Sequence, residues 1–168
     1  PDDAPVLAVE AEVGETAPPE HVLDAQRADV DLQRLVAARL RMVRGEGRAH
    51  YAFAELPPQP DLLHPYLAPA AALTQLWAGR TALHAGAVVL GDRAILLLGH
   101  TTDGKSTTLA WLAAERGLPV LADDLTIIDD GAILPGPGCI DLRPQSAEAF
   151  ADRWDGRLVR SETRLRVR

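Results

Sequence analysis

The sequence predicts an α/β fold with a small N-terminal α+β lobe, and three observations carry that expectation. An apolar, strand-like run, Ala94–Leu98, leads directly into a glycine-bounded loop, Gly99–Gly104. A strongly helical stretch, Lys105–Arg116 (KSTTLAWLAAER), follows and is ended by Gly117. A second apolar run, Leu118–Ala122, comes next and finishes on Asp123-Asp124. Strand, loop, helix and strand in that order are the building unit of α/β folds.

The composition sets the frame around this unit. The chain has 168 residues, 47% hydrophobic and 24% charged, which suits one globular domain with a small appended lobe. That length is enough to bury a working core. A net charge of −7, without any dense Lys/Arg block, argues against nucleic acid as a partner. Arginines do gather near the end (Arg157, Arg160, Arg164, Arg166, Arg168), as either a local anion-binding patch or a solvated strand or tail. The single cysteine, Cys139, excludes an intramolecular disulfide framework, and a reducing cytoplasm is the simplest compartment. There is neither a signal-like segment at the start nor an apolar run of membrane-spanning length, so no membrane partner is expected. The chain begins at Pro1 and stops in a charged, strand-like stretch, so residues are expected to be missing at one or both ends, or loops closed up.

Taken in order, Val6–Val13 (VLAVEAEV) alternates as a strand does, and Pro18-Pro19 then break the chain. Asp29–Val43 reads two ways. Leu32, Leu35, Val36 and Leu40 have helical spacing, while Leu40–Val43 could begin a strand. Gly45-Glu46-Gly47 marks a turn, with Ala49–Phe53 as the partner strand of a hairpin. Leu56–Pro60 is a proline-rich connection, and Leu62–Trp77 reads as helix interrupted by Pro65 and Pro69. The lobe is thus expected over residues 1–80 and the core over 81–168. Within the core, Leu83–Leu90 and Ala94–Leu98 are strands joined by Gly91-Asp92-Arg93, the second apolar enough to lie inside a sheet. Leu125–Ile128 continues as a strand, Asp129-Asp130-Gly131 turns it, and Ala132–Leu134 returns.

The chemistry is concentrated in GHTTDGKS, Gly99–Ser106, which matches glycine, four residues, then Gly-Lys-Ser. Glycines let backbone N–H groups curl around phosphate oxygens. Lys105 brings a mobile positive charge to the terminal phosphates, and the Ser106 hydroxyl ligates magnesium. The helix behind them points its positive end into the same place. The bland alternative is a glycine-bounded turn capping a helix. The cofactors expected are therefore ATP and Mg2+, held by Gly99, Thr101, Thr102, Asp103, Gly104, Lys105, Ser106 and Thr107. Thr102 stands two before Gly104, where many such loops have glycine, and Asp103 adds negative charge beside the phosphates.

Asp123 and Asp124 follow the next apolar run. In open α/β sheets the working edge lies at the carboxyl ends of the strands, and neighbouring residues of an extended chain point opposite ways. One carboxylate can then hold magnesium while the other faces an acceptor hydroxyl as base; a turn or solvated strand end is the alternative. His84, in Thr81–Val88, reads equally as a core or edge residue and as a contact to phosphate or to the base carboxylate.

Together LHAGAVVL, GHTTDGKSTTLAWLAAERG and LADDLTIID resemble, over Leu83–Asp130, the catalytic domain of HPr kinase/phosphorylase, the bacterial serine kinase with a P-loop. The resemblance implies a P-loop HPr-kinase-like core. It makes Lys105 the phosphate-binding lysine, Ser106 the magnesium ligand and Asp124 the proton acceptor from the target serine. Asp123 supports the base and is its alternative, also serving the metal, and His84 matches the family's active-site histidine. The family's later magnesium-binding glutamate and Gly-rich Arg motif have no clear counterpart; Asp141 and Arg143 of CIDLRP stand in a comparable place. Kinase activity without phosphorolysis is the expectation. The compact form is similar to HPr-kinase-like proteins that tailor ribosomally made peptides, including lasso-peptide kinases acting on a C-terminal serine. That implies a peptide or small protein with a serine acceptor as partner, and assembly into a homo-oligomer. A P-loop kinase of small molecules and a non-catalytic, nucleotide-dependent peptide-binding module are the alternatives.

Overall fold

A computed structural model of the chain describes residues 7–32, 37–58, 66–153, 159–160 and 165–167. It is a mixed α/β protein, richer in strand than in helix, that falls into two compact units, Pro1–Ala78 and Gly79–Arg168. Among the described residues no helix is long and apolar enough to cross a membrane.

The first unit is a five-stranded sheet with one helix. Strands β1 (Ala8–Val13), β2 (Val22–Leu23), β3 (Arg27–Asp31), β4 (Ala38–Val43) and β5 (Arg48–Phe53) lie in the order β1-β5-β4-β3-β2. The ladders are antiparallel except for β1, which runs parallel to β5. Period-2 burial drives this arrangement: Ala38, Leu40 and Met42 of β4, and Ala49, Tyr51 and Phe53 of β5, fill the core while their neighbours face outward. Tyr51 stacks on Phe53, whose ring meets Tyr66 edge-on at 4.9 Å. Arg39 grips Asp29 across the β3–β4 ladder with two bonds of 2.6 Å.

Two expectations need correction in this unit. Among the described residues the helical spacing across Asp29–Val43 does not become a helix: residues 29–31 and 38–43 are strand, and 33–36, with Leu35 and Val36, lie outside the described residues. Ala38, Leu40 and Met42 form a period-2 series that the leucine spacing concealed. Nor does Pro69 interrupt its helix. Helix α1 (Leu67–Trp77) runs through it, because Pro69 sits in the first turn, where a backbone N–H has no intrahelical partner to lose. Pro65 and Leu62 lie outside the described residues.

The second unit carries three small sheets. Strands β6 (Thr81–Leu83), β7 (Ala85–Leu90) and β8 (Arg93–Leu98) are followed by helix α2 (Lys105–Arg116). Next come β9 (Val120–Ala122), β10 (Thr126–Asp129), β11 (Ala132–Leu134), β12 (Ile140–Leu142) and the short helix α3 (Pro144–Glu148). Then come a single 3₁₀ turn, Ala151–Arg153, and strands β13 (Val159–Arg160) and β14 (Leu165–Val167). The sheets are ordered β11-β10-β6, β8-β7-β9 and β12-β14-β13. Of the terminal arginines, Arg160 and Arg166 fall in the β13–β14 ladder; Arg157, Arg164 and Arg168 lie outside the described residues.

The expected strand Leu83–Leu90 is two strands, parted at His84, because the chain leaves one sheet there and enters another. The strand before the loop, β8, was expected inside a sheet. Instead it pairs with β7 alone among the described strands and is largely open to solvent, Leu98 being 67% exposed. The buried central strand is β7, whose small residues Ala85, Gly86 and Ala87 admit close packing on both faces. Gly86 lies against Leu109 of α2, and a Cβ there would overlap the leucine side chain. Around that contact Val88, Leu109, Ala110, Ile140, Leu142, Ala147 and Phe150 form the core of the unit.

Candidate active site

Strand directions bring the site together. β7 is antiparallel to both β8 and β9, so those two run the same way and end at one edge of the sheet. At that edge β8 delivers Gly99 and the loop, β9 delivers Asp123-Asp124, and β7 begins just after His84. The convergence expected of a parallel sheet is thus reached in an antiparallel one, through the strand between. A second constraint sets His84 against Asp124. The β6–β10 ladder stops at Leu83↔Thr126, and the β7–β9 ladder resumes at Ala87↔Ala122. His84 and Asp123–Leu125 are the two neighbouring crossings between those sheets, and Thr126 Oγ1 pins them by donating to Ala85 O at 2.8 Å.

The loop is folded onto itself. Lys105, buried to 9% exposure, donates through Nζ to Gly99 O at 2.9 Å and His100 O at 3.0 Å. Asp103 Oδ2 accepts the His100 N–H at 2.7 Å. Gly104 adopts φ 86 immediately before α2, with open space where a Cβ would stand, so glycine is demanded there by conformation. Thr102 also has a positive φ, 82, a costly conformation for a β-branched residue and the reason glycine is common at its position. Thr101, Thr102 and Asp103 are exposed. The Thr107 hydroxyl donates to Ser146 Oγ of α3 at 3.1 Å, away from the loop.

The two aspartates part company through a turn, and the extended pleat expected from sequence has no part in it. Leu125 N–H returns to Asp123 O at 2.8 Å, leaving Asp124 at the centre of a three-residue turn with φ 64. Asp123 turns inward, where Oδ1 accepts the Ser106 hydroxyl at 3.0 Å and Oδ2 accepts the Asp141 backbone N–H at 2.9 Å. Burial pushes its carboxyl up to about 6. The neighbouring Asp124 charge adds to this and Asp141 contributes, while the Asp141 N–H and Ser106 bonds oppose it. Asp124 Oδ1 lies 3.3 Å from His84 Nε2.

Asp123, Asp124, Lys105, Ser106 and His84 therefore occupy one edge. Asp141 is buried in β12 beside Asp123, whereas Arg143 is exposed at the start of α3. Sequence reading missed the backbone of Asp141 as a fixed donor to Asp123; no side-chain pattern encodes it. It also passed over a legible fact: Lys105 is the only lysine in the chain, against sixteen arginines. Among the described residues no group of three or more His, Cys, Asp or Glu is arranged to hold a metal ion. Compared with protein-family models, curated proteins and solved structures, the chain finds no match.

Proposed function

We propose that the chain is an ATP-dependent kinase with an HPr-kinase-like P-loop core, transferring the γ-phosphoryl group to a serine hydroxyl of a peptide or small protein. One observation carries the reading: Lys105, the Ser106–Asp123 pair and the His84–Asp124 pair meet at a single sheet edge. A P-loop alone would support nucleotide binding and no more. A carboxylate bonded to the loop serine, with a second carboxylate held separately beside it, supplies what transfer to a hydroxyl asks for.

The donors fit magnesium and ATP. Magnesium retains several waters and takes one or two carboxylates plus phosphate oxygens, so Ser106 and Asp123 would suffice without a three-carboxylate cage. The space at Gly104 is open and the N-terminus of α2 has no side-chain cap there, so the positive end of the helix is available to a phosphate. Magnesium, when bound, would be held by Ser106 and Asp123 and would supply neutralisation of phosphate charge. Lys105 would exchange its two carbonyl partners for phosphate oxygens, and Asp123 would balance the metal charge. Asp124, oriented by His84, takes the acceptor proton. The serine oxygen forms the new bond to phosphorus as the bond to the bridging oxygen breaks, and that electron pair leaves on ADP. The resemblance of the Leu83–Asp130 segment and of CIDLRP to the peptide-tailoring kinases favours a ribosomally made peptide as acceptor, of the lasso type ending in serine.

The test incubates the chain with ATP, magnesium and serine-ended peptides and looks for a phosphate-sized mass gain. Asp124→Asn is expected to bind ATP normally and lose transfer; wild-type transfer by that variant rules out Asp124 as base. The Asp103 carboxylate seated on the His100 N–H favours a second reading, a nucleotide-gated peptide-binding module. Peptide capture without ATP turnover would select it.

A further inference from the structure

Strand β1 closes one edge of the first unit's sheet, and all six of its residues are exposed. Among the described strands it pairs only with β5, in register Val9↔Ala49, Ala11↔Tyr51 and Val13↔Phe53. Residues in register share a face, so Val9, Ala11 and Val13 carry the apolar face of Ala49, Tyr51 and Phe53 beyond the covered core. The β5 residues are buried there, while Val9 is 40% and Val13 63% exposed. The backbone of the same three residues is also turned outward. Ala8 and Gly14 donate inward, to Gly47 O and Phe53 O. Alternate residues of a strand direct their polar groups to the same side. Residues 8, 10, 12 and 14 therefore serve β5, and Val9, Ala11 and Val13 present N–H and C=O to the open edge.

Charge selects the occupant. The first unit holds twice as many acidic residues as arginines and no lysine, which accounts for nearly all of the chain's net −7. Glu10 and Glu12 line the other face of β1; Glu10 pairs with Arg48 and His50, while Glu12 stands opposite Ala52. A second copy is a poor fit. Antiparallel pairing of β1 with itself about Ala11 sets Glu10 against Glu12 twice, and like charges directly opposed are destabilising.

We propose that the β1 edge is a docking site for an extended basic peptide segment, Arg or Lys alternating with apolar residues, that adds as a sixth strand. Its backbone pairs with Val9, Ala11 and Val13, its apolar side chains cover the face of Val9 and Val13, and its cations meet Glu10 and Glu12. The site is independent of the kinase reading, because every residue in it belongs to the first unit.

The test titrates the whole chain with a synthetic hexapeptide of alternating arginine and valine, and with its glutamate–valine counterpart, following backbone amide shifts. The basic peptide is expected to bind saturably and move the amides of Val9–Val13, and the acidic one not to bind. Ala11→Pro deletes an outward N–H and leaves the β1–β5 ladder intact, as unchanged amide exchange in Arg48–Phe53 will verify; it is expected to weaken binding about tenfold. Glu12→Lys is expected to weaken it severalfold. No saturable binding, equal binding of both peptides, or unchanged affinity in Ala11→Pro overturns the proposal. Should Ala11→Pro detach β1, Glu12→Lys decides, and wild-type affinity in that variant overturns it.

Discussion

Replacing Asp123 by asparagine should make the second unit more stable at neutral pH while removing the residue proposed to balance magnesium. The carboxyl is pushed from 3.8 to about 6, first by burial and then by the Asp124 charge. A shift of roughly two units corresponds to about 3 kcal/mol at 1.36 kcal/mol per unit. The sign is unusual for an aspartate. The folded protein holds the proton more tightly than the unfolded chain, so stability is highest where Asp123 is protonated. It declines as pH rises from about 4 to about 6 and stays low above that. Asparagine escapes the cost and keeps both bonds: its carbonyl accepts the Asp141 N–H, and its amide donates to Ser106, whose hydroxyl rotates to accept. Urea unfolding, followed through Trp111 with Trp77 and Trp154 replaced by phenylalanine, would measure the difference in metal-free buffer. Asp123→Asn is expected to match the parent near pH 4 and exceed it by about 2–3 kcal/mol at pH 8. Lower stability at pH 8, or a gain independent of pH, would refute the account of Asp123 as a buried, charge-crowded acid.

Two further outcomes follow from close contacts. Gly86→Ala drives a methyl group into Leu109, both being fully enclosed between β7 and α2, and should destabilise the second unit by about 1–3 kcal/mol in the same unfolding assay. Asp103→Asn removes a charge that occupies the His100 N–H within the loop. Unit charges about 4 Å apart near a protein surface interact by roughly 1–4 kcal/mol, so ATP affinity should rise about tenfold in a fluorescent-nucleotide titration. Weaker binding would instead make the carboxylate an organiser of the loop.

What could be read in advance divides along a physical line. Signals that act within a few residues were legible: the glycines around the loop, the helix to Arg116 with Gly117 at its end, and the turns at Gly45–Gly47 and Asp130-Gly131. Features that depend on what lies alongside were not. The run Ala94–Leu98 is apolar enough for a buried strand, yet among the described strands β8 lies at an edge, because burial is decided by whether another strand arrives. The stretch Asp29–Val43 carries a helical period in its leucines and a strand period in Ala38, Leu40 and Met42, and pairing with β3 and β5 makes its described residues 38–43 a strand. At the site, residue types and order were visible, but the reason they meet was not. The approach of His84 to Asp124 comes from two strands changing sheets side by side, a relation written in no local pattern.

Backbone strain adds an argument that residue identity alone could not supply. Among the described residues, the non-glycine positions with positive φ are Thr102, Asp124 and Asp130. Asp130 sits in the hairpin turn between β10 and β11, where aspartate tolerates that conformation. Thr102 and Asp124 are different: one shapes the loop and the other holds a carboxylate 3.3 Å from His84. Such conformations cost of order 1–3 kcal/mol each and persist only where the surroundings over-determine them. At Asp124 the surroundings are identifiable, namely the Leu125 return bond, the inward pull of Ser106 and Asp141 on Asp123, and the Thr126 pin on Ala85. An aspartate relaxed into an extended conformation would break the Leu125 return bond that sets its carboxylate beside His84. The turn that strains Asp124 thus sends its carboxylate to His84 while that of Asp123 bonds Ser106 and the Asp141 N–H, and distinct partners are what the proposed roles of metal ligand and base require.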